Sequence, residues 1–235
     1  TGVQTCALPI SCTFDVTFFA ERIRAALALR EALYDKPFYR LVHAEGDDLP
    51  GLVIDRFADT LSVQITIAGM ERLTDTILGA LDDVLSPRHV VMRNDVPARS
   101  LEGLDSYVRV AKGDPPSPLH VLENGVVYFA DLAGGQKTGW YYDQRGNRAF
   151  IARLARNKRV LDAFSYTGGF GILAAHTGAK RVTFLDSSQP ALVQAAQAAE
   201  ENGVTDKCEF VKADAMLELE KRSMNERYDV VVCDP

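Results

Sequence analysis

The sequence predicts an α/β protein in which a doubly wound parallel sheet follows a smaller α+β domain. Three observations carry this expectation. After Ala130, apolar strand-like runs alternate strictly with helical stretches, the signature of a parallel sheet covered on both faces. One of those runs, Val160 to Ala163, breaks into Phe164-Ser-Tyr-Thr-Gly-Gly-Phe-Gly171. In that turn Gly168, Gly169 and Gly171 carry no Cβ, so backbone amides can approach a ligand before a helix begins. The next run, Val182 to Leu185, closes on Asp186, at the spacing of a carboxylate that accepts hydrogen bonds from a ribose. Together the two strand ends define a nucleoside-binding crevice.

At 235 residues, with 47% hydrophobic content, the chain is long enough for two domains with ordinary buried cores. No apolar run approaches the ~20 residues of a membrane span, and no basic-then-apolar leader is present. A cytoplasmic protein with no membrane partner is expected. Cys6, Cys12, Cys208 and Cys233 form no CxxC pair and have no histidine at ligand spacing, so neither a metal site nor a disulfide framework is expected. His43, His89, His120 and His176 lack acidic or thiol partners at catalytic spacing and read as structural or surface residues. The net charge of −6 argues against a nucleic-acid partner, but its distribution matters more. Residues 137–159 carry seven Lys and Arg against the single acid Asp143, a local positive island.

The elements can be placed in order. Thr1 to Ser11 has no periodicity and resembles a translated sequencing-adaptor read-through, so residues 1–15 are expected to be a non-native or unstructured leader. Val16 to Tyr34 repeats apolar residues with helical spacing (Phe19, Ile23, Leu27). Strands are expected at 39–44, 52–55 and 61–67, then a helix from Met70 to Leu85, then strands near 89–93, 107–111 and 126–130. These make residues 16–130 an α+β domain of mixed topology, with Gly113-Asp-Pro-Pro-Ser-Pro118 as a stiff loop inside it. Residues 131–235 follow as a helix over 145–156, strand 160–163, helix 172–177, strand 182–185, helix 189–201, strand 208–212, helix 214–221 and strand 228–233. The doubly wound sheet is expected to be truncated after its fourth strand.

Several constellations carry chemistry. Gly169-Phe-Gly171-Ile-Leu-Ala174 formally satisfies the dinucleotide pattern GxGxxA, so a nicotinamide enzyme stays in view. Asp162 on the strand before the loop disfavours it: a carboxylate there would repel a pyrophosphate but could hold the amino group of a cationic, phosphate-free ligand such as S-adenosylmethionine. Asp214, after the third strand, is either an acceptor near an adenine amine or the N-cap of the next helix. Asp234-Pro235 ends an apolar strand where the sheet order should reverse, so it could set a carboxylate or a carbonyl against a substrate atom. Cys233, inside that strand, reads as a buried, inert thiol. The loop Gly134 to Arg145 mixes glycines, Lys137, Trp140, Tyr141 and Tyr142 without periodicity. Its rings could stack on bases while Lys137 and Arg145 meet phosphates, or be tucked into a domain interface. The helix that follows sets Arg145, Arg148, Arg153 and Arg156 on one arc opposite Phe150, Ile151 and Leu154, which suggests a phosphate track or a merely solvated face.

With these motifs in hand, residues 17–235 resemble the class I S-adenosylmethionine-dependent rRNA methyltransferases of the large-subunit cytosine-C5 type. The carriers are Leu41 to Arg56, Gly135-Gln-Lys-Thr-Gly-Trp-Tyr-Tyr-Asp-Gln-Arg-Gly-Asn-Arg148, Leu161 to Gly171, and Val230-Val-Val-Cys-Asp-Pro235; the last three together are specific. The resemblance implies a Rossmann-like methyltransferase sheet behind a central α+β domain, S-adenosylmethionine as cofactor, and 23S ribosomal RNA as partner. Asp162, Phe164, Tyr166 and Gly168 would line the methionine side, with Gly169 and Gly171 completing the loop. Asp186 would hold the ribose, Asp214 would lie at the adenine, and Asp234 with Pro235 would open the substrate motif. Lys137, Tyr141, Arg145 and Arg148 would contact RNA. A thiolate adding to C6 of cytosine is also implied, from a cysteine of a later motif, so Cys233 is not assigned to that role. The chain departs from the family in having no N-terminal PUA domain and only one proline after Asp234. It is therefore expected to be an enzyme fragment, itself inactive. A guanine-N methyltransferase, a nicotinamide oxidoreductase and a non-catalytic RNA-binding module remain alternatives, and oligomeric state, including a homodimer, is open.

Overall fold

A computed structural model of the chain describes residues 13–132, 134, 139–225 and 227–235. The fold divides between Gly113 and Asp114 into two compact units.

The first unit runs α1 (Val16–Leu33), β1 (Phe38–His43), β2 (Leu52–Phe57), β3 (Thr60–Ile65), α2 (Ala68–Glu71), α3 (Thr74–Leu85), β4 (His89–Asn94), α4 (Ala98–Leu101) and β5 (Tyr107–Lys112). Asp15 starts α1 by accepting the Phe18 N–H at 2.9 Å, so the expected leader ends in a residue with a structural role. The sheet keeps sequence order, β1 to β5. β3 and β4 pair in parallel because α2 and α3 intervene as a crossover, while the other neighbours are antiparallel. Phe19 and Ile23 of α1 and Ile77 and Leu81 of α3 pack in one core with Leu52, Ile54 and Val63 of the sheet. The single helix expected over 70–85 is broken between α2 and α3, where the Thr74 hydroxyl donates to the Glu71 carbonyl at 2.7 Å. The break leaves Glu71 free to accept from Arg99 Nη1 at 2.8 Å and from the Tyr107 hydroxyl at 2.9 Å.

The second unit runs β6 (Leu119–Glu123), β7 (Val126–Ala130), α5 (Arg145–Leu154), β8 (Arg159–Ala163), α6 (Gly169–His176), β9 (Arg181–Asp186), α7 (Gln189–Glu201), β10 (Cys208–Lys212), α8 (Ala215–Asn225) and β11 (Val230–Cys233). The four strands β8 to β11 form an all-parallel sheet in the order β10-β9-β8-β11. The chain therefore winds outward from β8 through β9 to β10 and then returns to the other side of β8. Ligands bind at such a switch point, outside the carboxyl ends of the strands that flank it, here β8 and β11.

Three expectations are corrected here. The boundary placed at 130/131 falls at 113/114, and the proline-rich segment lies at the division rather than inside the first domain. The cause is an unforeseen strand, β6, which pairs with β7 across an Asn124-Gly125 turn with positive φ at both residues. Asn202, at the end of α7, ties this hairpin to the parallel sheet's own unit: its amide donates to the Val127 carbonyl at 2.7 Å and accepts the Val127 N–H at 3.1 Å. The third concerns Cys233, which is exposed. Along β11, Val232 is buried and its neighbours Val231 and Cys233 point to the opposite, open face.

Candidate functional site

The glycine turn after β8 is held in an unusual backbone shape. Phe164, Tyr166 and Gly168 all have positive φ, at 59°, 48° and 82°. For the two non-glycine residues this costs roughly 1–2 kcal/mol each and needs compensation. Asp186 supplies it, accepting the Tyr166 N–H through Oδ2 and the Ser188 N–H through Oδ1, both at 2.8 Å. The Ser165 N–H donates to the Leu185 carbonyl at 3.1 Å. The end of β9 thus shapes the loop at the end of β8. Helix α6 begins at Gly169, earlier than the expected 172, because the Ile172 N–H already reaches the Gly168 carbonyl.

Asp162 is 1% exposed and lies behind the loop, where Oδ2 accepts the Gly171 N–H at 2.8 Å. Burial pushes its carboxyl up to about 7; the Gly171 N–H and Arg148 pull it down, and Asp186 and Asp234 push it further up. Gly171 has no room for a side chain: a Cβ would stand 2.3 Å from Phe184 Cε1 and 2.9 Å from Asp162 Oδ2. Gly171→Ala is therefore expected to destabilise the second unit by about 1–3 kcal/mol. Urea unfolding of the variant would check this, and an unchanged midpoint would refute the close packing.

In front of the loop lies a cleft of about 470 Å³, lined by Phe164 to Thr167 from the turn after β8, by Gly169 and Phe170 of α6, by Asp186 from β9, by Asp234 and Pro235 after β11, and by Trp140, Tyr141, Gln144 and Arg148. The carboxyl ends of β8, β9 and β11 thus converge there, as the crevice reading requires. Of the expected site residues, Phe164, Tyr166, Gly169, Asp186, Tyr141, Arg148, Asp234 and Pro235 line the cleft. Asp162, Gly168 and Gly171 support the loop from behind. Asp214 does not line it: its Oδ1 accepts the Leu217 N–H at 3.0 Å, the N-cap alternative for α8. Lys137 lies outside the described residues.

Arg145 and Arg148 do not form an outward phosphate track. Arg148 is 3% exposed, donates from Nη1 to Glu123 Oε1 at 2.7 Å, and lies over the Trp140 ring at 4.2 Å. Arg145 Nε donates to Glu123 Oε2 at 3.2 Å, and Trp140 Nε1 donates to the same oxygen at 3.1 Å. The arc of α5 expected to be solvated points inward at these two residues, because Glu123 of β6 waits beneath it. The arc expected to be apolar is open instead, with Phe150 and Leu154 about half exposed.

Sequence reasoning passed over Gln144, Ser165 and Thr167. Gln144 Nε2 donates to Asp234 Oδ2 at 3.2 Å, and Asn147 Nδ2 donates to Gln144 Oε1 at 2.7 Å, which fixes the amide's orientation. Ser165 Oγ, Thr167 Oγ1 and Arg148 Nε are buried polar atoms without a protein partner, and all three residues line the cleft. Buried polar atoms are ordinarily satisfied, so three orphans around one cleft fit a polar ligand. Phe164, Tyr141 and Tyr166 add apolar surface for a ring; Tyr141 meets Tyr166 edge-on at 5.9 Å between centroids. The residues present suit a nucleoside carrying charged substituents.

The S-adenosylmethionine-dependent methyltransferase family matches residues 64–235, most of the chain and the whole of this site. The chain belongs to that family. The family's cofactor is S-adenosylmethionine, and the α/β arrangement is that of a Rossmann-like class I methyltransferase. This methyltransferase chain is 42% identical over 227 residues to Ribosomal RNA large subunit methyltransferase I of Photobacterium profundum, covering 94% of this chain and 57% of that protein. It is 43% identical over 229 residues to the protein of the same name from Vibrio cholerae, covering 94% and 58%. The chain thus spans less than two thirds of the length of these relatives. Among solved structures, a SAM-dependent methyltransferase from Streptococcus mutans superposes with a TM-score of 0.84 at 25% identity, covering 97% of this chain and 60% of that one. Among the described residues no helix is long and apolar enough to cross a membrane, and no cluster of His, Cys, Asp and Glu is arranged to hold a metal ion.

Proposed function

We propose that this chain forms the cofactor-binding part of an enzyme that methylates a base of large-subunit ribosomal RNA in the cytoplasm, with C5 of a cytosine as the acceptor atom. The observation that carries the reading is the 42% identity, across 94% of the chain, to a protein named for large-subunit ribosomal RNA methylation. Bound S-adenosylmethionine supplies an electrophilic methyl group; binding and orientation fall to the protein. Phe164, Tyr166 and Gly169 line the methionine side, with Asp162, Gly168 and Gly171 fixing the loop behind them. Asp186 keeps lone pairs for ribose hydroxyls beyond the two N–H groups it already accepts. Asp234 and Pro235 face the base, and Tyr141 offers a ring for stacking. Lys137 remains a candidate for phosphate, since Arg145 is turned to Glu123. Cys208 is no candidate for a nucleophile: burial pushes its thiol up to about 12, and it donates to the Val204 carbonyl.

Calorimetric titration of the folded chain with S-adenosylhomocysteine, with NAD as control, tests the cofactor assignment. Binding of the former alone is expected, and binding of NAD alone would replace the reading with an oxidoreductase. Asp186→Ala is expected to weaken S-adenosylhomocysteine binding by ~1–3 kcal/mol. Unchanged affinity in a folded variant would remove Asp186 from the site. With labelled S-adenosylmethionine and large-subunit ribosomal RNA, label in 5-methylcytidine is the expected product, and label in a methylguanosine would overturn the acceptor.

A further inference from the structure

We propose that the open face of α5 and the two turns beyond it bind single-stranded RNA, with Phe150 stacking on a base and Arg153, Arg156, Lys158 and Lys180 meeting phosphates. The inference rests on the reading that the cleft receives an RNA base, and adds the path of the strand that carries it. Helix α5 has one covered side and one open side. Arg148 and Ala152 are buried, whereas Gly146, Asn147, Phe150, Arg153 and Leu154 are exposed and share one face at helical spacing. The helix begins at the cleft, which Gln144 and Arg148 line, and its 10 residues extend ~15 Å.

Past Leu154 the cations continue. The Asn157 N–H donates to the Gly178 carbonyl and the Lys180 N–H to the Lys158 carbonyl, both at 2.8 Å, so the turn into β8 lies beside the turn into β9. Arg156, Lys158 and Lys180 are thereby gathered at the far end of α5, all three exposed. Between Arg145 and Arg181 the sole acidic residue is Asp162, which is buried. Among the described residues Arg153, Arg156, Lys158 and Lys180 have no ion-pair partner, whereas the adjacent Arg181 pairs with Glu209 at 3.3 Å. The dipole of α5 favours cations only within its last turn, so it accounts for Arg153 and not for Lys158 or Lys180. In a chain of net charge −6, a strip kept free of acids is complementary to a polyanion. Phe150 adds what a phosphate patch alone lacks. It is 52% exposed, with the Arg153 guanidinium 5.5 Å from the ring centroid, a flat apolar face beside a cation of the kind on which unpaired bases stack. A strand leaving the cleft along α5 meets the ring first and the cations after it.

The test follows binding of a fluorescently labelled single-stranded RNA of mixed sequence to the 235-residue chain by anisotropy across a salt series, with S-adenosylhomocysteine titrated in parallel. Arg156→Gln, Lys158→Gln and Lys180→Gln in one variant should reduce the slope of log affinity against log salt by about 2. The same variant should bind RNA about tenfold to a hundredfold more weakly at roughly 0.1 M salt. Phe150→Ala should weaken binding about fivefold or more with the slope unchanged, which separates lost stacking from lost charge. Both variants should bind S-adenosylhomocysteine as wild type does, since none of the replaced side chains lines the cleft. RNA affinity and slope equal to wild type in both variants would overturn the strip, as would a wild type that binds no RNA. Loss of binding to anionic phospholipid vesicles with RNA binding intact would also overturn it and assign the face to a lipid surface. The acceptor reading is judged apart, by whether label passes from S-adenosylmethionine to RNA, so a strip upheld without RNA labelling would overturn that reading alone.

Discussion

Replacing Glu123 by alanine is expected to destabilise the second unit by about 3–5 kcal/mol, the cost of leaving a buried charge without its partner. Glu123 is 2% exposed and accepts from three donors, Arg148 Nη1, Arg145 Nε and Trp140 Nε1. Removing the carboxylate strands an arginine whose side chain is 4% exposed, together with an indole N–H. Desolvation cannot be relieved by deprotonation, because a guanidinium stays charged. Glu123→Gln should cost less, since its amide oxygen still serves one donor, although its NH₂ then faces a cation. The chain's one tryptophan, Trp140, sits inside the cluster and tilts against Tyr128 at 4.6 Å between centroids. Its fluorescence therefore reports unfolding of this unit. A urea midpoint for Glu123→Ala within about 0.5 kcal/mol of wild type would show that the pair contributes nothing. The loss should reach the cleft, because Tyr128 donates to the Gly169 carbonyl at 3.2 Å and Arg148 backs the same residue.

This cluster also marks the limit of what could be read from the chain alone. The parallel sheet was legible because its signals are local: apolar runs, the glycine turn, and the helix over 189–201, whose bounds agree with α7. Asp186 was legible for the same reason, as a carboxylate closing a strand. The inward turn of Arg148 was not, because its partner lies 25 residues earlier on β6. The Asn124-Gly125 turn between alternating residues was the signal that could have revealed that strand. Ser165 and Thr167 looked like ordinary turn residues; that their hydroxyls lack local partners is a property of the assembled loop. Cys233 misled because an apolar run does not disclose which of its alternate side chains a sheet will cover.

A second large effect is expected from pH, through Asp162. Its carboxyl is pushed up to about 7 in the folded chain, against about 3.9 in an unfolded one. Between those values the folded chain holds a proton that the unfolded chain has lost. The contribution of this group to stability is therefore greatest below pH ~4, declines as pH rises, and levels off above pH ~7. That difference corresponds to roughly 4 kcal/mol. Asp162→Asn removes the titration while keeping an acceptor for the Gly171 N–H. The difference in unfolding free energy between variant and wild type should then shift in the variant's favour by up to that amount from pH ~4 to pH ~8. Parallel stability curves would refute the linkage. Burial sets it above all, with the Gly171 N–H and Arg148 favouring the ionised form and Asp186 and Asp234 opposing it from the cleft. A cation seated beside those two carboxylates would tip Asp162 toward ionisation. Binding of S-adenosylmethionine, with its sulfonium, should accordingly release more protons near pH 7 than binding of S-adenosylhomocysteine, measured by calorimetry in buffers of different ionisation enthalpy. The excess should vanish in Asp162→Asn; its persistence there would move the titrating group elsewhere in the cleft.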